Sequence, residues 1–287
     1  MAAIPEIIIF GAMQLRNETA IFSENTSLPS LFLERDVIVD FFLPTQVENP
    51  ASLSLLLVND GQNMEEVGME KILADLYTGG QIRPLLCAAV HTGAHRKLEY
   101  GIASQADYLG RGNKAGAYTR FIVEELLPFI HTQYKVPSFA DRAFAGFSLG
   151  GLSALDIVWA YPDLFSRAGV FSGSLWWRSM DQDDPGYDDD QHRIMHQVIR
   201  RGVYHQGQQF FFQTGNMDET NDRNNNGIID SIDDTLDLIH ELELKGYHKD
   251  EAIYYLELSD GRHDMPTWAR ALPVFLKWGW GAGQGMR

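Results

Sequence analysis

Short apolar runs alternate with amphipathic segments from about residue 35 to the end of the chain. A strand is predicted where such a run is β-branched, aromatic or continuously apolar and ends at a turn signal. A helix is predicted where apolar residues recur at i, i+3 and i+4. The predicted strands are 36–43, 52–58, 84–91, 142–147, 168–171, 209–213 and 252–258, and the longer predicted helices are 118–134, 149–161, 235–244 and 268–280.

The strand runs 52–58 and 84–91 are mostly apolar without alternation, which is typical of strands that are buried on both faces. Interleaved with helices, such strands predict a mostly parallel sheet in a three-layer α/β/α sandwich. We expect one domain over residues 1–287. The main irregular stretch, 174–207, lies before the strand 209–213 and is expected to form a lid or a pocket wall.

Charge and composition narrow the classes of partner. The chain has 39 acidic and 23 basic residues, a net charge of −16, so no nucleic-acid or membrane-surface partner is expected. Residues 181–190 contain six Asp and no basic residue, and 218–237 contain seven acidic residues and one Arg. The rest of the chain is therefore near neutral, and the charge describes two local segments. The run 181–190 has no ligand spacing and is interpreted as a solvated loop.

The N-terminal residues carry the apolar cluster Ile7–Phe10 without a basic leader and with Glu6 before it, which is not typical of a signal peptide. We expect a cytoplasmic location, although a secreted or periplasmic protein whose N-terminus had been trimmed would show the same pattern. The single cysteine, Cys87, excludes an intrachain disulfide.

The most informative motif is Gly146-Phe-Ser148-Leu-Gly150, a G-x-S-x-G pattern between a buried strand and an apolar helix. In that context the serine lies on a strained strand-to-helix turn, and the glycines allow neighbouring backbone to pass closely. Ser148 is the predicted nucleophile. The alternative is a glycine-rich turn with an incidental serine.

A serine hydroxyl needs a histidine base and an acid that orients the base, in the chain order Ser, Asp or Glu, His on this type of fold. His263 is the predicted base because it alone follows the last apolar strand directly; the other later histidines lie on predicted helices or in polar connections. Asp218 is the predicted acid, with Glu219 as the alternative in the same loop. Asp264 is a weaker candidate, since adjacent residues rarely orient each other.

Two backbone N–H groups are expected to form an oxyanion hole. One is that of Leu149, the residue after the nucleophile. The other is expected in the loop after strand 52–58, at Gln62, with Gly61 as the alternative.

At this point the sequence resembles the esterase branch of the α/β-hydrolase superfamily, which includes enterochelin-esterase-like, feruloyl-esterase-like and esterase D-like proteins. The resemblance spans about residues 35–280 and implies carboxylic-ester hydrolysis with Ser148 as nucleophile and His263 as base; the position of the acid varies in the family. Its segments are LVNDGQN (57–63), RKLEY (96–100), FIVEELLP (121–128), AGFSLGG (145–151), YPDLF (161–165), SGSLWW (172–177) and His263 with Trp268.

The resemblance also suggests residues around the substrate. The segment with Arg96 and Glu99 often borders the site in such proteins, so both are candidate pocket residues; a structural ion pair is the alternative. Separately from the resemblance, Trp176 and Trp177 follow Ser172–Ser174 at a strand end, and they are candidates for the wall of an acyl or aromatic pocket, or they pack under the insertion.

Residues 222–233 follow the twelve-position calcium-loop pattern, with Gly227 at the sharp turn of position 6. The usual Glu at position 12 is replaced by Asp, which has a shorter reach. The alternative is a solvated Asn/Asp-rich turn. We expect a structural calcium ion bracing the Asp218 loop, and no organic cofactor. The predicted ligands are Asp222, Asn224, Asn226, the Ile228 carbonyl, Asp230 and Asp233.

Together these features predict a serine esterase for a small-molecule ester, with carbohydrate-linked and siderophore-linked esters among the open classes. Two rival functions remain at this point. One is acyl transfer to another acceptor on the same residues, and the other is a non-catalytic, calcium-stabilised binding protein on a hydrolase fold.

Overall fold

The computed structural model describes residues 20–47 and 52–283. In these residues eight strands form one sheet, in the order β1-β2-β4-β3-β5-β6-β7-β8. β2 pairs antiparallel with β1 and with β4, and all other neighbours are parallel. The strands are β1 Ile21–Ser30, β2 Arg35–Pro44, β3 Ser54–Asn59, β4 Leu85–Val90, β5 Arg142–Phe147, β6 Arg167–Phe171, β7 Gln209–Met217 and β8 Ile253–Arg262.

Helices cover both faces of this sheet. α1, α2 and α10 share one apolar cluster with one face, and α4, α5, α6, α8 and α9 contribute to the cluster on the other. The predicted three-layer α/β/α sandwich is confirmed. The α-helices are α1 Met64–Val67, α2 Met69–Thr78, α3 Arg96–Glu99, α4 Ala115–Arg120, α5 Leu127–Gln133, α6 Leu149–Ala160, α7 Asp189–His192, α8 Ile194–Arg201, α9 Asp230–Lys245 and α10 Met265–Trp280.

Burial along the strands explains which of them the sequence pattern reveals. All six residues of β3 and all six of β4 are buried, as expected for central parallel strands. β1 alternates exposed and half-buried residues at the edge of the sheet, and it was not among the predicted strands. α1 and α2 were also not predicted.

The parallel strands place several loops at one edge of the sheet, because parallel strands share the side at which they end. Asp60–Gln62 follow β3, Ser148 follows β5, Ser172–Ser174 follow β6, Asp218 follows β7 and His263 follows β8. The topology therefore gathers the predicted functional residues at the carboxyl edge of the sheet.

The insertion 174–207 lies between β6 and β7, as predicted, and contains α7 and α8. Ion pairs fix it to the chain that follows β7. Arg193 Nη1 is 2.8 Å from Asp234 Oδ1, and Arg223 Nε is 2.9 Å from Asp189 Oδ2. Asp189 is thus paired, so the acidic run 181–190 is not wholly a solvated loop.

Among the described residues, no helix is both long enough and apolar enough to cross a membrane. The Ile7–Phe10 cluster and Glu6, on which the expectation of a cytoplasmic location rests, lie outside the described residues.

Candidate active site

The predicted nucleophile, Ser148, lies on a sharp turn between β5 and α6. Its φ of 53° and ψ of −121° are rare for a residue with a side chain, and its N–H donates to the carbonyl of Phe171 at 2.8 Å. Gly146 permits the turn, because a Cβ there would lie 2.9 Å from Gly151 N and still closer to the carbonyl of Gly150. This backbone is the strained strand-to-helix turn expected of a nucleophile elbow.

Ser174 is a neighbour of Ser148 to which the sequence analysis gave no role. The two Oγ atoms are 3.3 Å apart, and the Ser174 N–H donates to the Ser148 carbonyl at 3.1 Å. Ser174 is buried. Its position follows from β6 lying parallel beside β5, a pairing that no pattern along the chain reveals.

The two predicted oxyanion donors lie on segments that pack together. Leu149 is the first residue of α6, so its N–H has no partner within the helix. The loop that carries Gln62 is tied to the same helix end by Asn59, whose Nδ2 donates to the Gly150 carbonyl at 2.7 Å. A Cβ at Gly61 would lie 2.6 Å from His91 Cδ2, so this loop passes too closely for a side chain there.

His263, the predicted base, follows β8. Partial burial is the main influence on the pKa of its imidazole, and it lowers that pKa. The negative charge of Asp218 raises the pKa, the positive charge of Arg96 lowers it and the negative charge of Asp264 raises it. The net shift is downward. The ring lies 5.1 Å from the ring of Trp268, which stacks on Phe147 at 5.0 Å. Aromatic packing thus links His263 to β5, the strand that precedes Ser148.

The ends of β7 and β8 approach closely, and this brings the Asp218 loop beside the His263 loop. Asp218 Oδ2 accepts a hydrogen bond from Gly215 N at 3.0 Å, whereas Oδ1 is buried and has no hydrogen-bond partner within the described residues. A Cβ at Gly215 would lie 2.8 Å from that oxygen. Oδ1 of Asp218 is therefore a buried acceptor without a partner in the described residues, and the carboxylate is close enough to His263 for its charge to raise the imidazole pKa.

The other acidic candidates have different partners. Glu219 bonds to the backbone of Ser231 and to Asn221, and burial raises the pKa of its carboxyl. Asp264 caps α10 by accepting from Thr267 N at 2.9 Å. Both arrangements leave Asp218 as the acid that fits best.

Within the described residues, the three predicted catalytic side chains are not joined by hydrogen bonds: Ser148 Oγ is bonded to Ser174. Hydrogen bonds between catalytic groups are often long in the absence of substrate and tighten when it binds. The structure thus brings Ser148, His263 and Asp218 to one edge of the sheet in an open arrangement.

Of the candidate pocket residues, two lie in the interior. Glu99 is 1 % exposed and is held by Arg35, with Nε–Oε1 and Nη2–Oε2 distances of 2.9 and 2.7 Å. Trp177 is fully buried and fills the space beside Gly101 and Gly112. Both side chains are buried, and Glu99 forms the ion pair that was the alternative to a pocket role.

The other two pocket candidates retain some exposure. Trp176 is half-buried, and the guanidinium of Arg111 lies 4.9 Å from the centre of its ring. Arg96 pairs with Asp60 and keeps about a third of its side chain exposed.

The loop 222–233 adopts the internal bonding of a tight Asx-rich turn. Asp222 Oδ2 accepts from Gly227 N at 2.9 Å, and Asp233 Oδ2 accepts from the Asn226 side chain at 2.8 Å. Asp230, the predicted ligand at position 9, instead accepts from Arg223 N at 2.9 Å.

The described residues contain no group of three or more His, Cys, Asp or Glu side chains placed to hold a metal ion. Four predicted side-chain ligands, Asp222, Asn224, Asn226 and Asp233, still surround the turn. These oxygens suit a calcium ion, whereas Oδ1 of Asp230 already accepts from Arg223. Calcium binding stays a prediction.

Comparison with known proteins adds independent information. A family model described as "Putative esterase" matches residues 30–278. No curated protein matches the chain in a sequence search.

Several solved structures are similar. The enterobactin esterase of Shigella flexneri, in the presence of enterobactin, has a TM-score of 0.68 and 22 % identity over 91 % of this chain and 59 % of its own. A ferulic acid esterase has a TM-score of 0.63 and 19 % identity over 91 % of this chain and 98 % of its own. An IroE-like serine hydrolase from Shewanella oneidensis has a TM-score of 0.64 and 18 % identity over 89 % of this chain and 79 % of its own.

At these identities the structural likeness shows a shared α/β-hydrolase-like fold. This chain spans only about 59 % of the length of the enterobactin esterase.

Proposed function

The chain belongs to the esterase family whose model spans residues 30–278, and we propose that it is a serine esterase that hydrolyses a small-molecule carboxylic ester. Family membership supports hydrolysis of an ester bond. The observation that carries the serine mechanism is the strained backbone of Ser148 at the end of β5, with His263 and Asp218 on the last two strands of the same sheet. This is the chain order Ser, Asp, His of the fold.

In the proposed reaction, Ser148 Oγ attacks the carbonyl carbon of the ester while the imidazole of His263 accepts its proton. The N–H groups of Leu149 and Gln62 bind the carbonyl oxygen as it becomes an oxyanion. Collapse of this intermediate breaks the bond to the alcohol, which leaves with the proton from His263. The acyl group remains on Ser148.

Water then completes the cycle. His263 accepts a proton from a water molecule, whose oxygen attacks the acyl carbon, and the second intermediate releases the acid and returns the proton to Ser148. Asp218 orients the imidazole through its free Oδ1 and stabilises the imidazolium formed in both halves of the reaction. The lowered pKa of His263 keeps it neutral, and so ready to accept a proton, at neutral pH.

The substrate is proposed by class. Two of the structural neighbours are named as an enterobactin esterase and a ferulic acid esterase. In this chain the half-buried ring of Trp176 offers an aromatic surface; the Arg111 guanidinium lies 4.9 Å from its centre and is itself paired with Asp107. Esters linked to siderophores and to carbohydrates are the classes to test first.

A structural calcium ion in loop 222–233 is a secondary proposal. The oxygens of Asp222, Asn224, Asn226 and Asp233 and the carbonyl of Ile228 would hold the ion, which would stiffen the loop that follows Asp218. The test is thermal unfolding with and without a saturating chelator, together with measurement of bound calcium. An unchanged melting temperature and no bound calcium would eliminate the ion.

The decisive test of the esterase compares the wild type with Ser148→Ala on p-nitrophenyl acetate. The wild type should turn over the ester and bind one equivalent of a serine-reactive p-nitrophenyl phosphonate, and the variant should do neither. Equal background turnover in both proteins would refute the mechanism. Adding alcohols to the same assay separates hydrolysis from acyl transfer, because transfer would yield a new ester.

A further inference from the structure

Asp60 is a buried carboxylate at the proposed oxyanion hole. It follows β3 with a φ of 63°, in the left-handed region, and its side chain is 2 % exposed. Its Oδ2 abuts the start of α6, since a Cβ at Gly150 would lie 2.9 Å from it. Gly150 is the residue after Leu149, and Gln62 is two residues after Asp60, so the carboxylate lies next to both proposed oxyanion donors.

This position has a structural benefit and an electrostatic cost. Asp60 Oδ1 accepts from the Gln62 side chain at 3.1 Å, which fixes the turn that presents the Gln62 N–H. However, a negative charge here opposes the oxyanion that forms during the reaction. An uncompensated unit charge about 6–10 Å away would slow that step by about 10- to 100-fold at an effective dielectric constant near 20.

Arg96 supplies the compensating charge. Its Nε and Nη2 donate to Asp60 Oδ1 and Oδ2, each at 2.7 Å, so the pairing is bidentate and occupies both carboxylate oxygens. The guanidinium also lies over the ring of Tyr100, 5.2 Å from its centre, and the Tyr100 hydroxyl accepts from Asp60 N. Asp60 and Tyr100 therefore hold Arg96 in place, and the charge of Arg96 neutralises the Asp60 carboxylate.

We propose that the Asp60–Arg96 pair is a neutralised clamp, in which Asp60 fixes the oxyanion loop and Arg96 cancels the charge that would otherwise work against the oxyanion. Arg96 is then a positioning residue with an electrostatic role, and it is not primarily a substrate-binding group. The proposal rests on the proposed serine esterase. The proposed clamp also explains why the buried Asp60 carboxylate can lie beside the oxyanion hole, where a negative charge is least favourable.

The test is a double-mutant cycle of Arg96→Met, Asp60→Asn and the double variant, with kcat and KM measured on p-nitrophenyl acetate. R96M should lower kcat by about 10- to 100-fold with little change in KM, because the bare carboxylate opposes the transition state. D60N should lose less, since it leaves no negative charge behind. The double variant should recover most of the kcat that R96M loses.

The pH profile adds a readout that a purely structural role would not move. Because the charge of Arg96 lowers the pKa of His263, R96M should move the acid limb of kcat/KM to higher pH. Arg96→Lys keeps the charge without the two-pronged geometry and should leave that limb near its wild-type position.

Arg35 provides a matched control, because it makes the same bidentate pair with buried Glu99, three residues from Arg96. R35M also leaves an uncompensated buried carboxylate, but one that makes no hydrogen bond to residues 59–62 among the described residues. It should lower the melting temperature while losing far less kcat per active site than R96M. An R35M variant with the same kcat loss would overturn the proposal.

Two further results would refute the clamp. One is a double variant no more active than R96M, and the other is an R96M variant whose only defect is a raised KM, which would make Arg96 a substrate-binding residue. Titration with the serine-reactive phosphonate before each assay counts intact sites. If the wild type itself neither reacts nor turns over the ester, the proposed function has failed, and the clamp is refuted with it.

Discussion

Replacement of Gly146 by alanine tests the close packing on which the turn at Ser148 depends. The added Cβ would lie 2.9 Å from Gly151 N and closer still to the carbonyl of Gly150, whereas carbon contacts are normally about 3.5–4.0 Å. All of these neighbours are backbone, so none can rotate away. The turn or the first residues of α6 must shift by about 1 Å.

The expected cost is about 3 kcal/mol, the upper end of the usual range for overpacking a buried site. For a protein of this size each kcal/mol lowers the melting temperature by about 2–4 °C, so G146A should melt about 6–12 °C below the wild type. Because Ser148 is two residues away, a displacement of about 1 Å should also lower kcat by roughly 100-fold. Thermal unfolding followed by circular dichroism and steady-state ester hydrolysis measure the two effects.

Gly116→Ala is the matched control. Gly116 lies in α4, and its added Cβ would meet only Ala103 O, at 3.9 Å. Alanine is the better helix former, so G116A should be unchanged or more stable by about 0.4–1 kcal/mol, with normal kcat. If G146A had the same melting temperature and kcat as G116A, the inference of a backbone-limited turn would be wrong.

Three further outcomes follow from the site. Asp218→Asn should lower kcat/KM by about 10³- to 10⁴-fold, whereas Glu219→Gln should have a small effect; equal losses would contradict the choice of acid. The acid limb of the kcat/KM profile should lie below the ordinary histidine value of about 6.5, because a base with a lowered pKa stays neutral to lower pH; a limb above that value would contradict the lowered pKa of His263. Trp268→Phe should cost about 1–3 kcal/mol of unfolding free energy, because it leaves the buried Ser172 hydroxyl without its 3.0 Å donor; an unchanged melting temperature would exclude that role.

Much of the fold could be read from the chain because its central strands are continuously apolar. β5 was predicted with its observed bounds, Arg142–Phe147, and the predicted helix 149–161 differs from α6 by one residue. β7 runs four residues beyond the predicted 209–213, because Thr214, Gly215 and Met217 continue to pair with β8, across a register shift after Gly215, without an apolar pattern. β1 was missed for the same reason, since an edge strand keeps few apolar positions.

The predicted nucleophile, base and acid were assigned from local patterns and from the order of elements along the chain, both of which are visible in one sequence. The surroundings of the site were less predictable. Arg96 meets Asp60 across 36 residues and Ser174 meets Ser148 across 26, and each contact depends on which strands are neighbours in space. A pattern read along the chain does not contain that information. Glu99 was expected at a pocket for the same reason, whereas its partner, Arg35, lies 64 residues earlier.

The position of His263 after β8 predicts the order in which parts of the site unfold. In the described part of the chain β8 pairs only with β7, at the end of the sheet, while Ser148 follows the interior strand β5. Edge strands open locally at lower free energy than the centre of a sheet. Mild denaturant should therefore displace His263, the proposed base, first and leave the turn at Ser148 intact. Activity would then disappear before the bulk of the backbone structure, and amide exchange would report β8 as the first strand to open.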